Sequence, residues 1–165
     1  MNKKSFVSRK TVLGKSPIHG KGVLAFRDIK KDEIIFYIKG EIRHLKINSP
    51  KDSEVGPCWI GIKNETWIDP ISPAVYLNHS CNPNAGIRGK VTLRASKDIN
   101  KGEEIIIDYS TTECDEFWSF TCHCGAKNCR KKVRSIQYLD KKTFNKYLPY
   151  IPKYFQMIYY RKNAI

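Results

Sequence analysis

The sequence lacks any long apolar run, and this absence limits the classes of protein that it can encode. The first ten residues, MNKKSFVSRK, contain no apolar stretch of the kind found in a signal peptide. The longest apolar stretches, IIFYI and EIIIDY, are strand-sized and far shorter than the roughly 18 residues of a membrane span. We therefore expect a soluble cytoplasmic protein with no membrane partner. The nucleus or chromatin is the alternative for a eukaryotic source or a secreted effector.

Charge of one sign is nearly missing from two consecutive segments, although the net charge is +14. Residues 102–126 contain no lysine or arginine and carry six acids, whereas residues 127–165 carry eleven basic residues and the single acid Asp140. The basic segment favours an acidic partner such as nucleic acid or chromatin, and a solvated tail is an equally simple interpretation. The acidic segment predicts a place that receives a cationic ligand.

The length and composition predict one compact domain built mostly of β-strands. The chain has 165 residues, of which 41% are hydrophobic and 28% charged. The predicted strands are GVLAFRDI, DEIIFYIKGEI, WIGIK, TWIDP, VTLRAS and EEIIIDY. Residues 38–57 are predicted to be a loop-rich connector. Two short C-terminal helices are expected, one capped by Asp140 and stopped by Pro149, the other with Pro152 at its first position.

A turn pattern occurs twice, at DIKKDEII (28–35) and DINKGEEI (98–105), and predicts a turn that feeds a strand. Gly102 suits a positive φ in this turn, and its counterpart Asp32 tolerates one less comfortably.

Six cysteines without a signal peptide predict metal binding rather than disulfides. CHCGAKNC places Cys122, Cys124 and Cys129 within eight residues, and a structural zinc site needs four ligands. The alternative is three reduced, buried cysteines. The candidates for the fourth ligand are His123, Cys58, Cys81 and Cys114. Spacing weakly favours Cys81, which lies in a polar turn, and Cys58 is expected to belong to the core.

Four motifs together resemble the SET-domain protein lysine methyltransferases, in particular the compact bacterial-type members. They are IHGKGVLAFRDI, YLNHSCNPN, GEEIIIDY and CHCGAKNCR, and the resemblance covers roughly residues 10–135. It implies a mostly β fold of small curled sheets with a pseudoknot. It also implies a SET domain over residues 1–112, a post-SET zinc segment over 113–135, and a basic, aromatic helical tail over 136–165.

The resemblance further implies a function and a set of site residues. The activity is methyl transfer from S-adenosylmethionine to lysine in a basic protein or peptide, histone-like or ribosomal, with nucleic acid or chromatin contacted through the basic tail. Tyr109 matches the catalytic tyrosine. The cofactor would contact Gly20, Lys21, Gly22, Asn78, His79 and Tyr109. Zinc would be held by Cys81, Cys122, Cys124 and Cys129.

Some details of the substrate site are also expected. Ile107 stands two residues before the catalytic tyrosine, where a hydroxyl would favour monomethylation, so we expect more than one methyl to be added. The acids Glu113, Asp115 and Glu116 are expected to form the mouth of the peptide groove. Candidate walls of the lysine channel are Tyr37, Trp67, Tyr76, Phe117, Trp118 and Phe120.

Three other classes of function compete with this interpretation. A catalytically silent SET-like module would bind a lysine-rich peptide or nucleic acid and keep the same motifs. A zinc-ribbon nucleic-acid protein would need a second C-x₂-C pair, which the sequence lacks. A hydrolase using Cys81 and His79 would need an orienting partner for the histidine and an oxyanion site, and the sequence offers neither.

Overall fold

The computed structural model describes residues 9–54, 56 and 58–164 of the chain. Its strands are β1 Thr11–Lys15, β2 Lys21–Ala25, β3 Ile34–Tyr37, β4 Gly40–His44, β5 Ile60–Lys63, β6 Thr66–Pro70, β7 Asn78–His79, β8 Ala85–Arg88, β9 Thr92–Ala95, β10 Ile106–Ile107, β11 Ser119–Thr121 and β12 Lys132–Arg134. Its helices are α1 Lys141–Tyr147 and α2 Lys153–Asn163. Short 3₁₀ turns connect them, including one at Tyr109–Thr112.

Short antiparallel sheets dominate the fold, which confirms the expected class. Strands β1 and β2 form a hairpin, and β11 pairs with β12. Two three-stranded sheets have the orders β3-β9-β8 and β4-β6-β5. The exception is a parallel pair between β7 and β10, which joins segments far apart in the sequence.

The repeated turn pattern has a direct structural counterpart. Ile29 and Ile99, one from each copy, exchange two backbone hydrogen bonds of 2.8 Å, and both side chains are buried. Asp32 and Gly102 both have positive φ, of 66° and 87°. The prediction for these two turns is confirmed, and the isoleucines through which the two copies pair both belong to the main hydrophobic core.

The two C-terminal helices form a second core with the segment that precedes them. The Asp140 side chain caps α1 by accepting a hydrogen bond from the Thr143 N–H at 2.9 Å, as predicted. Phe144 stacks on Tyr159 with ring centroids 3.7 Å apart. Pro152 occupies the N-cap position of α2, one residue before its predicted place. The helices therefore have the predicted order and nearly the predicted bounds.

Several predicted strands have other bounds. DEIIFYIKGEI is not one strand, because it divides into β3 and β4, and β4 lies inside the stretch predicted to be a connector. A side chain at Gly40 would lie 2.1 Å from the Asp69 carbonyl oxygen, so the chain can pair closely with β6 only where a glycine stands. EEIIIDY contributes only the two residues of β10 to a sheet. Among the described residues, no helix is both long and apolar enough to cross a bilayer.

Candidate active site and cysteine cluster

The parallel pair β7–β10 brings two of the sequence motifs into contact. Asn78 pairs with Ile106 and His79 with Ile107, and the Ser80 N–H donates to the Ile107 carbonyl at 2.9 Å. Tyr109 follows β10 directly in a 3₁₀ turn. The NHSC loop and the tyrosine therefore meet although about thirty residues separate them in the sequence.

Asn78 ties the HGKG segment to this junction through its side-chain amide. The amide donates to the carbonyls of His19 at 3.2 Å and Lys21 at 3.0 Å, and to Glu104 Oε1 at 2.7 Å. A side chain at Gly22 would lie 2.3 Å from the same carboxylate oxygen. Gly22 is therefore needed to leave room for Glu104, a reason that differs from the predicted approach of a cofactor.

His79 is held between the tyrosine and the cysteines. Its Nδ1 accepts a hydrogen bond from the Tyr109 N–H at 3.2 Å, and its Nε2 lies 3.3 Å from the Cys81 sulfur. Burial lowers the pKa of His79 to about 4, so the ring is neutral near pH 7. A neutral imidazole that accepts at Nδ1 carries its proton on Nε2. We therefore assign Nε2–H as a donor to the Cys81 sulfur and not as a metal ligand.

Four cysteines from two distant segments gather at one point. The sulfurs of Cys81 and Cys122 are 3.9 Å apart, the Cys81 N–H donates to the Cys124 sulfur at 3.5 Å, and the Cys129 thiol donates to the Cys122 carbonyl at 3.5 Å. Candidate ligand atoms of His79, Cys81, Cys122 and Cys124 lie within 4.8 Å of one another. Burial raises the pKa of the Cys81 and Cys122 thiols.

This donor set fits zinc. Four ligands at about 2.3 Å in a tetrahedron place neighbouring sulfurs roughly 3.8 Å apart, close to the Cys81–Cys122 separation. Because the His79 proton assignment removes the imidazole as a ligand, we expect Cys129, whose thiol donates to the Cys122 carbonyl at 3.5 Å, to supply the fourth thiolate. The fourth ligand that spacing weakly favoured, Cys81, lies in the cluster.

Arg130 connects the cysteine cluster to the tyrosine strand, and the sequence analysis missed it. Its Nη2 donates to Asp108 Oδ1 at 2.7 Å, and its backbone N–H donates to the Cys81 sulfur at 3.4 Å. Asp108 is buried and also accepts from the Ser110 N–H at 3.0 Å. The motif CHCGAKNCR contains this arginine, but its buried partner lies 22 residues earlier and is found only in the folded chain.

The Tyr109 ring lines two cavities. The first, which we call the Asn78 cavity, has a volume of about 270 Å³. Its lining residues are Ile18, His19, Asn78, His79, Tyr109, Phe120, Thr121, Cys122, His123 and Cys124. Two of the other predicted cofactor residues, Asn78 and His79, line this cavity, and Gly20, Lys21 and Gly22 lie in the adjoining segment.

The second cavity, which we call the tryptophan cavity, has a volume of about 100 Å³ and contains both aromatic and acidic side chains. It is lined by Trp59, Trp67 and Trp118, by Ile107 and Tyr109, and by the acids Asp52, Glu113 and Asp115, among others. The Tyr109 hydroxyl donates to the Leu77 carbonyl at 2.6 Å, and burial raises the pKa of that hydroxyl. Tyr109 is therefore a protonated, fixed donor between the two cavities.

Glu113 does not have the position predicted for it. It is buried, accepts from Trp67 Nε1 at 3.1 Å and from the Cys114 and Asp115 N–H groups, and so forms a wall of the tryptophan cavity rather than its mouth. Burial raises the pKa of its carboxyl. Glu116 is exposed, pairs with Lys162 at 3.6 Å and does not line the cavity. Of the three acids expected at the mouth, Asp115 both lines the cavity and is partly exposed, and its place at the mouth of a peptide groove stays a prediction.

The predicted aromatic walls are divided among several places. Trp67 and Trp118 line the tryptophan cavity, whereas Phe120 lines the Asn78 cavity. Tyr37, Tyr76 and Phe117 line neither. The lining residues that the sequence did not indicate include Trp59 and Cys58. Cys58 is exposed, whereas the sequence predicted that it belongs to the core. The sequence signal for the exposure of Cys58 is its position just before the WIGIK strand, where a residue can lie in an exposed turn as well as in the core.

Comparison with known proteins gives consistent matches. A family model described as the SET domain matches residues 20–110. Histone-lysine N-methyltransferase 2D of Homo sapiens is 33% identical over 134 residues, covering 72% of this chain and 2% of its own length. Histone-lysine N-methyltransferase TRX1 of Oryza sativa subsp. japonica is 29% identical over 151 residues, covering 81% of this chain and 15% of its own length. The chain thus spans a small fraction of these relatives.

A solved structure has the same fold. KRYPTONITE in complex with mCHH DNA, an H3(1-15) peptide and SAH is similar with a TM-score of 0.57 at 22% identity. The match covers 73% of this chain and 29% of that chain. At this identity the likeness concerns the fold alone.

Proposed function

Because this chain belongs to the SET-domain family, we propose that it transfers methyl groups from S-adenosylmethionine to the side-chain amine of lysine in a basic protein. The observation that carries the proposal is the position of Tyr109, whose side chain lines both cavities. A reaction between two substrates that enter from opposite sides requires such a junction. The curated relatives are named histone-lysine methyltransferases, which agrees with this choice of reaction.

We propose that S-adenosylmethionine occupies the Asn78 cavity. SAH, the product left when this donor loses its methyl group, is present in the KRYPTONITE structure. The segment Gly20–Gly22 would border the cofactor, since the Asn78 amide fixes the carbonyl of Lys21 in the middle of it. Phe120, whose ring lies 5.2 Å from that of His79, offers a flat apolar surface for the adenine.

The substrate lysine would enter through the tryptophan cavity. Aromatic faces attract an ammonium group and especially a methylated one. The amine must lose its proton before it reacts, and its unperturbed pKa is about 10.4. Desolvation between tryptophans and the positive sulfonium nearby both lower that pKa. Ile107, which lines the cavity without a hydroxyl, is consistent with the addition of more than one methyl.

The chemical step is a displacement in line. The nitrogen lone pair forms the new bond to the methyl carbon while the bond from carbon to sulfur breaks, and its electron pair remains on the sulfur as a neutral thioether. The chain's contribution is orientation, which supplies a large share of the rate in such reactions. Tyr109, fixed by its 2.6 Å hydrogen bond to Leu77, positions both groups at the junction.

Zinc is proposed to bind Cys81, Cys122, Cys124 and Cys129 and to act structurally. Its binding would hold the CHCGAKNC segment against the NHSC loop, which supplies His79 and the wall of the Asn78 cavity. The Nε2–H of His79 would then stabilise the Cys81 thiolate. Chelation should therefore affect the cofactor cavity as well as the cysteine segment.

The acids of the tryptophan cavity support a basic substrate such as a histone-like tail or a ribosomal protein. Asp52 and Asp115 line the cavity, so Asp115→Asn should raise the KM of a basic peptide severalfold through loss of one charge contact. Glu116→Gln is the matched control, because it removes the same charge from the neighbouring exposed position and should leave KM unchanged. Equal effects of the two variants would contradict the assignment. The cytoplasm is the proposed compartment, or chromatin for a histone substrate.

The proposed function is tested by methyl transfer from radiolabelled S-adenosylmethionine to core histones, ribosomal proteins and a host-cell lysate. We expect labelled lysine with the wild-type protein and strongly reduced labelling with Tyr109→Phe. Tyr160→Phe, at an exposed position on α2, is the matched control and should transfer normally. Binding of the cofactor without any transfer would favour the silent binding module instead.

A further inference from the structure

A basic groove lies away from both cavities of the proposed reaction. It has a volume of about 1020 Å³ and is bounded by the end of β5, the β8–β9 hairpin and the start of α2. Its lining residues are Ile62, Lys63, Arg88, Gly89, Lys90, Thr92, Arg94, Pro149, Ile151, Pro152, Lys153, Tyr154 and Gln156. None of them lines the Asn78 cavity or the tryptophan cavity.

The charge of this groove has one sign. Five of its lining residues are cations, and none is an acid. Elsewhere some cations are paired with acids, as Arg27 is with Glu33 and Arg130 with Asp108. Among the described residues no ion pair involves the five groove cations. Arg94 donates at 2.6 Å to the carbonyl oxygen of Asp32, whose carboxylate accepts from the Tyr150 hydroxyl and is thus already engaged.

Like charges crowded in one groove without counterions raise its energy, and a polyanion lowers it. The cations come from separate segments of the chain, on β5, on both strands of the hairpin and its turn, and at the first residue of α2. The fold therefore concentrates in one groove charges that are scattered along the sequence. An overall excess of lysine in the sequence would not by itself bring these charges together in one groove.

The floor of the groove is apolar and suits bases better than it suits carboxylates. Pro149 is exposed there, Ile62 and the ring of Tyr154 are partly exposed, and the buried residues Ile151 and Pro152 complete the lining. Proteins that bind single-stranded nucleic acid combine a positive groove that follows the backbone with surfaces on which bases stack. An acidic peptide would use the cations and leave this apolar floor without a role.

We infer that this groove binds single-stranded nucleic acid. The cations of the groove would contact the phosphates, and the bases of the nucleic acid would lie on the apolar floor. The site is distinct from the exposed basic residues of the tail, such as Lys141, Lys142 and Arg161, which do not line it. Since it shares no lining residue with the cavities around Tyr109, occupancy there leaves the proposed reaction accessible. The inference does not depend on the proposed methyl transfer.

The test measures binding of a fluorescent single-stranded oligonucleotide by anisotropy over a range of salt concentrations. The groove variant is Lys63→Ala/Lys90→Ala/Lys153→Ala, and the matched control is Lys141→Ala/Lys142→Ala/Arg161→Ala, which removes the same charge from the exposed tail. Loss of three phosphate contacts should reduce the slope of log K against log salt by about 2. The control should keep the wild-type slope. Lys90→Glu, at the exposed hairpin turn, provides a second variant if the triple variant is poorly folded.

Duplex DNA of the same sequence and poly-glutamate of matched charge complete the experiment. We expect the single strand to bind more tightly than either of these, and we expect Tyr154→Ala to weaken its binding by about tenfold, because one base loses its aromatic stacking partner. If the two triple variants lose the same affinity for the oligonucleotide, binding depends only on the net charge of the protein and the inference is overturned. If the duplex binds as tightly as the single strand, the bases do not contact the apolar floor, which contradicts the inference. Better binding of poly-glutamate would assign the groove to an acidic protein.

Discussion

Replacing Arg130 with alanine should destabilise the fold by about 3–5 kcal/mol, because the change leaves a buried carboxylate without its counterion. Asp108 is 1% exposed, and its Oδ1 is 2.7 Å from the arginine. The hydrogen bond from the Ser110 N–H remains but supplies no positive charge. For a domain whose unfolding free energy is of order 5–15 kcal/mol, this loss is a large fraction.

Urea unfolding with zinc in excess measures the effect. With a slope of about 2 kcal/mol per molar urea, the midpoint should fall by roughly 2 M while the slope stays constant. Arg130→Lys keeps the charge and should lose less. The double variant Arg130→Ala/Asp108→Asn removes both charges and should cost less than the sum of Arg130→Ala and Asp108→Asn measured singly. A loss below about 1 kcal/mol in Arg130→Ala, or an additive double variant, would show that the pair is solvated and refute the reasoning.

Three further predictions concern metal binding, acid stability and the number of methyl groups. Cys81→Ser should lower the amount of bound zinc in elemental analysis. His79→Gln should retain the zinc, because the imidazole donates a hydrogen bond to the Cys81 thiolate and does not bind the metal. Zinc loss only in the histidine variant would reverse the assignment. The Arg27 hydrogen bond lowers the pKa of Glu33 to about 2. The ionised Glu33 carboxylate therefore contributes fully to the free energy of unfolding above about pH 4.3, and this contribution disappears towards pH 2. In acid titrations Glu33→Gln should abolish that dependence, which amounts to less than about 1 kcal/mol, and an unchanged curve would contradict it. Ile107→Tyr should shift mass-spectrometric products towards monomethyllysine, and unchanged products would exclude a role for this position.

The parts of the fold that the sequence predicted depend on local chemistry. Asp32 and Gly102 have positive φ because their turns require it, and Asp140 caps α1 through its own side chain. Such features are decided by neighbours a few residues away. The strand bounds were less accurate. The isoleucines before Asp108 resemble a long strand but pair over only two residues, where β7 lies beside them.

The candidate site shows the same difference between features set by neighbouring residues, which the sequence predicted, and features set by distant residues, which it did not. The motifs contain the residues around the junction, including Asn78, His79 and Tyr109, but they do not indicate on which side of the tyrosine an aromatic ring lies. Trp118 and Phe120 are two residues apart and line different cavities. Burial of Glu113 likewise depends on Trp67, a partner 46 residues away. Contacts of this length are set by the packing of the sheets.

The central claim, that Tyr109 separates a cofactor cavity from a lysine cavity, is tested most directly by two matched variants. Trp59→Ala, in the tryptophan cavity, should raise the KM of a basic peptide by about tenfold through loss of aromatic contact and leave S-adenosylmethionine binding unchanged. His19→Ala, in the Asn78 cavity, should weaken calorimetric binding of the cofactor by about fivefold and leave the peptide KM unchanged. This separation of effects is the predicted result. If both variants alter the same constant, the two substrates do not occupy separate cavities and the account is contradicted.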